Sequence, residues 1–169
     1  MKKINNNDLN IKNLGESVEL YGWVAKKRDL GGIIFIDLRD RTGIIQLVIN
    51  PENANYEVAN TLKNEYVIKV KGTVLERTNK NNNIDTGEIE IDVEELELLN
   101  TCLELPFTID DNTNALEDTR LKYRYLDIRR NKLKNNLFLR SEILHFLRNK
   151  MHDLKFIEVQ TPILTASSP

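Results

Sequence analysis

Apolar and polar residues alternate along five segments in the N-terminal part of the chain. These segments are rich in β-branched residues and are bounded by Gly-rich or Asn-rich turns; they span 18–25, 33–39, 43–50, 66–75 and 88–98. Alternation sends successive side chains to opposite faces of a strand, so each segment predicts a strand with one buried face. Between the third and fourth strands, Val58 and Leu62 lie four residues apart, as on one face of a short helix over 54–64.

Five strands with a helix between the third and fourth follow the order of an OB-fold barrel. An open five-stranded meander is the alternative, and the pattern alone leaves it open. The segment 77–88 is polar and ends near a glycine, which predicts a mobile loop at the tip of the last hairpin. The sequence therefore predicts a mainly β domain.

The hydrophobic pattern changes after the fifth strand. Residues 105–120 have no clean period and indicate a linker, whereas the chain has a helical pattern from Leu116 onward. The segment 156–164 predicts a strand interrupted by Pro162, and its partner strands do not follow in the sequence. We therefore expect a fragment that stops inside a second domain. Before that strand, 136–154 predicts a buried helix with an apolar stripe of Leu137, Leu144, Leu147, Met151 and Leu154.

Composition narrows the classes of function without choosing one. The chain has 169 residues, a formal net charge of -2 and 40% hydrophobic residues, so any nucleic-acid site must be local rather than a general basic charge. One cysteine, Cys102, and two histidines, His145 and His152, argue against a disulfide framework and a zinc site. The sequence shows no signal peptide and no apolar run that could span a membrane. We expect a soluble cytoplasmic protein without a metal.

Strand parity places a distinctive set of side chains on the outside of the predicted barrel. Phe35, Gln46 and Glu90 point away from the core, with Arg28 at the edge of the first strand. An aromatic ring can stack on a base, and amide and carboxylate groups can bind Watson–Crick edges. The pattern favours single-stranded RNA as a ligand. The alternative is that Phe35 packs under a loop or a second domain, and that Arg28 belongs to a solvated strand edge.

Long blocks of the sequence resemble one family. The segments "GWVAKKRDLGGIIFIDLRDRTGIIQLVINPE", "GEIEI" and "RLKYRYLDIRR" are similar to the N-terminal part of bacterial-type aspartyl-tRNA synthetases. The closing "FIEVQTPILTASSP" resembles the first signature motif of class II synthetases. The resemblance implies an OB-fold anticodon-binding domain over 1–104, a linker or hinge over 105–134, and the start of an α+β catalytic domain over 135–169. Lysyl- and asparaginyl-tRNA synthetases share this architecture and are the alternative within the class.

The resemblance also implies roles for individual residues in binding the anticodon loop. Phe35 matches the residue that stacks on the middle anticodon base, a uridine, and Gln46 matches the side chain that recognises that uridine. Arg28 matches a neighbouring contact. Glu90, the second acid of "GEIEI", matches the carboxylate that accepts hydrogen bonds from the first base, a guanine or its modified form.

Five further positions carry weaker expectations from the same resemblance. Arg77 and Asn81 fall near positions that contact the anticodon backbone, although the Asn-rich loop looks shorter than usual. Leu30 lies in the loop where the family discriminates between aspartate and asparagine tRNAs. Pro162 matches a proline of the homodimer interface, and Leu75 replaces a residue that is often basic.

The resemblance implies that the full-length protein is an aspartate–tRNA ligase. Such an enzyme activates aspartate with ATP and magnesium, transfers it to tRNA, and works as a homodimer. We expect no catalytic residue, metal ligand or cofactor site in this chain, which should bind tRNA without catalysis. Two alternatives from other classes are a free-standing OB-fold module for single-stranded nucleic acid, and a non-catalytic interaction fragment that dimerises through the helix at 136–154.

Overall fold

The five predicted strands and the short helix between the third and fourth are confirmed in a computed structural model, which describes residues 4–164. Short 3-10 helices at Asn6–Asp8 and Ile11–Asn13 precede the first strand. The regular elements of this part are β1 Ser17–Leu30, β2 Ile33–Arg39, β3 Ile44–Ile49, α1 Tyr56–Thr61, β4 Val67–Glu76 and β5 Ile89–Asn100. The predicted loop 77–88 lies between β4 and β5.

The strands close into a barrel in the order β1-β2-β3-β5-β4, with β4 returning to β1. The pairs β1–β2, β2–β3, β4–β5 and β1–β4 are antiparallel, whereas β3 and β5 pair in parallel. Closure removes the exposed strand edges that an open meander would leave. The OB-fold barrel is therefore the correct alternative.

The inward face of each strand follows the alternation that the sequence predicts. Successive inward residues of β2, Ile34, Ile36 and Leu38, have no exposed surface. Burying each such side chain contributes about 1.5–3 kcal/mol. The same core includes Val18, Leu20, Val24, Ile45, Leu47, Ile49, Ile68, Val70, Val74, Ile89, Ile91 and Val93.

A β-bulge changes the parity of β1 and decides where Arg28 points. The β1–β2 register pairs Val24 with Leu38, but the next pair is Lys26 with Asp37, so the register shifts between Val24 and Lys26. Simple alternation from Val24 would turn Arg28 toward the core. The extra residue at the bulge brings Arg28 opposite Phe35 instead, on the outer face of the barrel.

Two glycines allow the tight turn that joins β1 to β2. Gly31 and Gly32 have φ angles of 70° and 92°, which lie in the left-handed region that residues with a Cβ disfavour. Two successive positive φ angles are characteristic of the type I′ turn, whose twist matches that of the flanking strands. The turn accounts for the double glycine without invoking close approach to a ligand.

One buried asparagine ties the N-terminal segment to the β2–β3 turn. Asn6 has no exposed surface, and its side-chain Nδ2 donates to the Leu38 and Gly43 carbonyl oxygens at 2.9 Å and 3.2 Å. Its backbone N–H donates to Asp40 Oδ2 at 2.7 Å. These bonds satisfy polar groups at one end of the barrel that burial would otherwise leave unpaired.

The chain divides into two compact units, Met1–Leu103 and Glu104–Pro169. The second unit contains α2 Glu117–Lys122, α3 Arg124–Asp127 and α4 Asn131–Asp153. Asp127, which is buried, accepts from Arg130 Nε at 2.8 Å and from Arg124 Nη1 at 3.0 Å, and these bonds fix the turn that leads into α4.

Three sequence predictions need correction. The segment 156–164 is not a strand: no regular structure is assigned there, because a strand requires neighbouring backbone groups and none of the described residues supplies them. The apolar stripe of α4 is exposed rather than buried, with Leu147 at 51%. In α1 the buried residue is Ala59, followed by Leu62 just after the helix, whereas Val58 is 39% exposed.

No helix among residues 4–164 is long and apolar enough to cross a bilayer.

Candidate nucleic-acid interface

Three strand pairings bring the predicted binding residues together on the outer face of the barrel. Phe35 on β2 lies opposite Arg28 on β1, and Asp37 lies opposite Gln46 on β3. Gln46 in turn pairs with Glu90 across the parallel β3–β5 contact. Directly opposed residues share a face of the sheet, so all five project from the same side.

A continuous set of hydrogen bonds connects the polar members of this face, centred on Gln46. Gln46 Nε2 donates to Glu90 Oε2 at 2.8 Å. Arg77 Nη2, at the start of the loop after β4, donates to Gln46 Oε1 at 2.9 Å. Arg28 Nη2 donates to Asp37 Oδ1 at 2.6 Å and lies 3.5 Å from Gln46 Oε1. We call Arg28, Asp37, Gln46, Arg77 and Glu90 the Gln46 network.

The Arg28 guanidinium makes one short ion pair and has one nitrogen donor without a hydrogen-bond partner among the described residues. Its ion pair with Asp37 is partly exposed, with 37% of the Arg28 side chain accessible. Its Nε is buried and has no hydrogen-bond partner among the described residues. A buried donor without a partner is costly.

The carboxyl group of Glu90 is held in an environment that favours its protonated form. Burial raises its pKa above the ordinary carboxyl value, and this effect exceeds the lowering by the Gln46 hydrogen bond and the Arg77 charge, while Asp92 adds a further rise. Leu75 lies directly opposite Glu90 on β4, so the position across the strand pair carries an apolar side chain rather than a cation. Glu90 is therefore an acceptor that water solvates poorly.

Phe35 stands beside the network as an outward, half-buried ring. Its cross-strand neighbours are Arg28 on one side and Val48 on the other. An outward aromatic ring on the same face as Arg28 and Gln46 is a suitable platform for stacking a base. Sequence parity predicted this outward position correctly.

Three predicted site residues are not members of the Gln46 network as defined above. Asn81 is in the β4–β5 loop, where its backbone N–H donates to the Gly87 carbonyl at 2.9 Å and its Oδ1 accepts from the Asn83 N–H at 3.0 Å. Leu30 is 64% exposed at the end of β1. Pro162 is exposed in an irregular segment.

The described residues offer no metal site: no group of three or more His, Cys, Asp or Glu side chains in 4–164 is placed to hold an ion.

Comparison with known proteins agrees with this geometry. Residues 18–99 match the family model for the OB-fold nucleic acid binding domain, and residues 116–169 match the model for class II tRNA synthetases (D, K and N). The first match contains the whole barrel.

Two curated relatives of the chain are the same kind of synthetase. The aspartate–tRNA ligase of Streptococcus suis is 52% identical over 161 residues, and that of Streptococcus agalactiae serotype V is 50% identical over the same length. Each alignment covers 94% of this chain but only 28% of the relative, so the chain spans less than a third of the length of these ligases.

Solved structures support the fold. The asparaginyl-tRNA synthetase of Pyrococcus horikoshii, complexed with asparaginyl-adenylate, superimposes with a TM-score of 0.85 at 28% identity, covering 99% of this chain and 38% of that one. The aspartyl-tRNA synthetase of Entamoeba histolytica has a TM-score of 0.86 at 19% identity, covering 96% of this chain and 40% of that one, which shows the fold alone.

The barrel, its outer polar face and the class II match define an OB-fold nucleic-acid-binding domain joined to tRNA synthetase sequence. Within that class, the chain is similar to part of the aspartate–tRNA ligases, and its residues 116–169 match the class II tRNA synthetases.

Proposed function

We propose that the outer face of the barrel binds the anticodon loop of an aspartate-accepting tRNA and recognises its bases. The observation that carries the proposal is the single hydrogen-bonded chain through Arg28, Gln46, Glu90 and Arg77 beside the outward ring of Phe35. In this scheme Phe35 stacks on the middle uridine, Gln46 binds that uridine, and Glu90 accepts hydrogen bonds from the first base, a guanine. Arg28 makes a neighbouring contact to the same loop.

A sequence-independent function for this face, charge attraction to RNA phosphates, fits the geometry less well. The network places carboxylates of Asp37 and Glu90 among its cations, and a carboxylate repels phosphate but accepts the N–H groups of a base edge. The arrangement therefore favours base recognition over a general backbone contact.

The proposal extends to the activity of the complete protein. It would join aspartate to its tRNA with ATP and magnesium, in the cytoplasm, as a homodimer. The residues described here contribute tRNA binding, and no chemical step is assigned to them. The exposed apolar stripe of α4 and Pro162 supply surface for the second subunit, and exposed Leu30 contributes to tRNA discrimination. Asn81 contacts the backbone of the anticodon loop.

Titration with anticodon stem-loops tests the binding role. One RNA carries the aspartate triplet and a second differs only at the middle uridine, each measured at two salt concentrations. We expect a preference of about 1–3 kcal/mol for the aspartate loop, the usual value of a specific base contact. The matched substitutions Gln46→Ala and Arg41→Met separate recognition from charge, because Arg41 is exposed on the β2–β3 turn.

Equal affinity for the two loops, with a steep salt dependence, would contradict base recognition. It would instead support a module that grips single-stranded nucleic acid of any sequence.

A further inference from the structure

The side-chain amide of Gln46 is fixed in one orientation by its neighbours. Its Oε1 faces the guanidinium groups of Arg77 and Arg28, and its Nε2 faces the Glu90 carboxylate. The flipped amide would set NH2 donors against guanidinium donors and an oxygen against a carboxylate. Both contacts would then be repulsive, so the observed orientation is the one that the charges allow.

We propose that Arg77 is a positioning residue for base recognition: it fixes the Gln46 amide so that the barrel presents an NH2 donor, and not a carbonyl acceptor, to the RNA. The inference rests on the proposed function of this face and adds the chemistry of what it selects. Arg77 acts through Gln46 and not by direct contact with the phosphates.

The consequence for specificity follows from counting donors and acceptors. The amide NH2 has two hydrogens, and the bond to Glu90 uses one of them. Gln46 Oε1 has two lone pairs, and two guanidinium donors face it, Arg77 Nη2 at 2.9 Å and Arg28 Nη2 at 3.5 Å. The group left to meet a base is a donor, which matches the carbonyl oxygens of uracil. This N–H group cannot form a hydrogen bond with a base edge that presents only an N–H donor at that point.

Burial makes the Arg77 contact more than an incidental surface pair. Gln46 is buried, with 5% of its surface exposed, so water cannot replace a lost partner freely. Removing the guanidinium leaves Oε1 without its closest donor, and the amide gains freedom to turn. Arg28 cannot substitute fully, because its Nη2 lies at 3.5 Å from Oε1 and already serves Asp37 at 2.6 Å.

A double-mutant cycle separates positioning from charge. Arg77→Met, Gln46→Ala and the combined variant are titrated with the aspartate stem-loop and with the loop whose middle base is changed, in the 169-residue chain. We expect Arg77→Met to reduce the preference between the two loops. In the Gln46→Ala background the same substitution should leave the preference unchanged to within about twofold, as expected when the coupled partner is absent.

Charge loss alone gives a different pattern. If Arg77 contacts phosphate directly, Arg77→Met weakens both loops equally in either background and lowers the slope of log affinity against log salt by about 0.7. That result would overturn the positioning role.

A measurement without RNA keeps the inference independent of the proposed function. In the free chain, the side-chain amide protons of Gln46 should be protected from exchange and resolved in an NMR spectrum, and Arg77→Met should remove that protection while Arg41→Met preserves it. If the wild type shows no loop preference, the anticodon proposal fails, yet this comparison still decides whether Arg77 holds the amide. Unchanged protection in Arg77→Met would contradict the inference.

Discussion

Gln46 Nε2 and Glu90 Oε2 lie 2.8 Å apart across the parallel pairing of β3 with β5, the contact that helps to close the barrel. The same register that completes the fold thus places an amide beside a carboxylate on its outer face. The β3–β5 register therefore determines both the fold and the candidate site. If either strand shifted by one residue, Gln46 or Glu90 would point into the core.

The raised pKa of Glu90 predicts that RNA binding depends on pH. Acidification through this pKa protonates the carboxylate and removes the acceptor for the first base. Binding of a loop that begins with guanine should therefore weaken on acidification, by up to about 1.5–3 kcal/mol, the usual value of a hydrogen bond to a charged group. Titrations across the acid range measure this, and Glu90→Gln should show a much flatter profile.

Leu75→Lys provides the matched test of that pH effect. A lysine directly opposite Glu90 favours the charged carboxylate and should lower the pKa of Glu90, which moves the loss of binding to more acid pH. If RNA binding by Glu90→Gln and by Leu75→Lys has the same pH dependence as RNA binding by the wild type, another group is responsible for the pH effect.

The same pKa shift predicts the direction in which the free energy of unfolding changes with pH. A carboxyl group with a raised pKa in the folded state binds protons more readily there than in the unfolded chain. Its contribution to the free energy of unfolding is therefore fully present below the unfolded pKa and is lost as pH rises through the folded pKa. In denaturant unfolding, the free energy of unfolding of Glu90→Gln should rise relative to that of the wild type as the pH rises from the unfolded pKa through the folded pKa. A change in the opposite direction would contradict the burial of Glu90.

Phe35→Ala should weaken RNA binding with little effect on folding. Loss of a stacking platform costs about 1–3 kcal/mol per base, whereas an outward, half-buried ring contributes little to the core. Binding titration and denaturant unfolding of the same variant measure the two effects. Tyr21→Ala is the control, since Tyr21 is also an exposed ring but pairs with Lys69 on β4; equal losses from both substitutions would remove the special role of Phe35.

Neighbouring residues of β3 should differ sharply in their effect on stability. Leu47 has no exposed surface and points into the core, so Leu47→Ala should lower the free energy of unfolding by about 2–5 kcal/mol. Val48→Ala, one residue further on the outer face, should cost far less. Urea unfolding of the two variants checks the assigned parity, and similar costs would show that it is wrong.

Asn6→Ala should destabilise the barrel by about 1–3 kcal/mol, because it removes the two hydrogen bonds that the buried Asn6 side chain donates to the Leu38 and Gly43 carbonyl groups. Asn7→Ala is the adjacent control: its side chain makes an exposed bond to Asp85, so its effect should stay within about 0.5 kcal/mol. Thermal or denaturant unfolding distinguishes them, and equal effects would mean that the N-terminal segment does not hold the barrel as described.

Much of the barrel was predictable because period-2 alternation reports directly on burial. Ile34, Ile36 and Leu38 occupy every second position of β2, and their burial follows this period. The outward positions of Phe35, Gln46 and Glu90 follow from the same parity, and the described structure places them on one face.

Other features depend on interactions that periodicity does not encode. The bulge after Val24 reverses the parity of β1, so the strand pattern alone gives no reason to place Arg28 outward. The bond between Arg77 and Gln46 joins residues 31 positions apart through a loop. The strand predicted at 156–164 failed because an apolar, β-branched run is only a strand when another strand is present to pair with it.

The most direct test of the central claim is an NMR titration of this chain with the aspartate anticodon stem-loop, in which the shifted residues are mapped onto the barrel. The account predicts that the largest changes fall on Arg28, Phe35, Gln46 and Glu90, while Tyr21 and Lys71 on the β1–β4 side stay unchanged. Shifts concentrated on the β1–β4 side, or spread evenly over the basic residues of the chain, would contradict it.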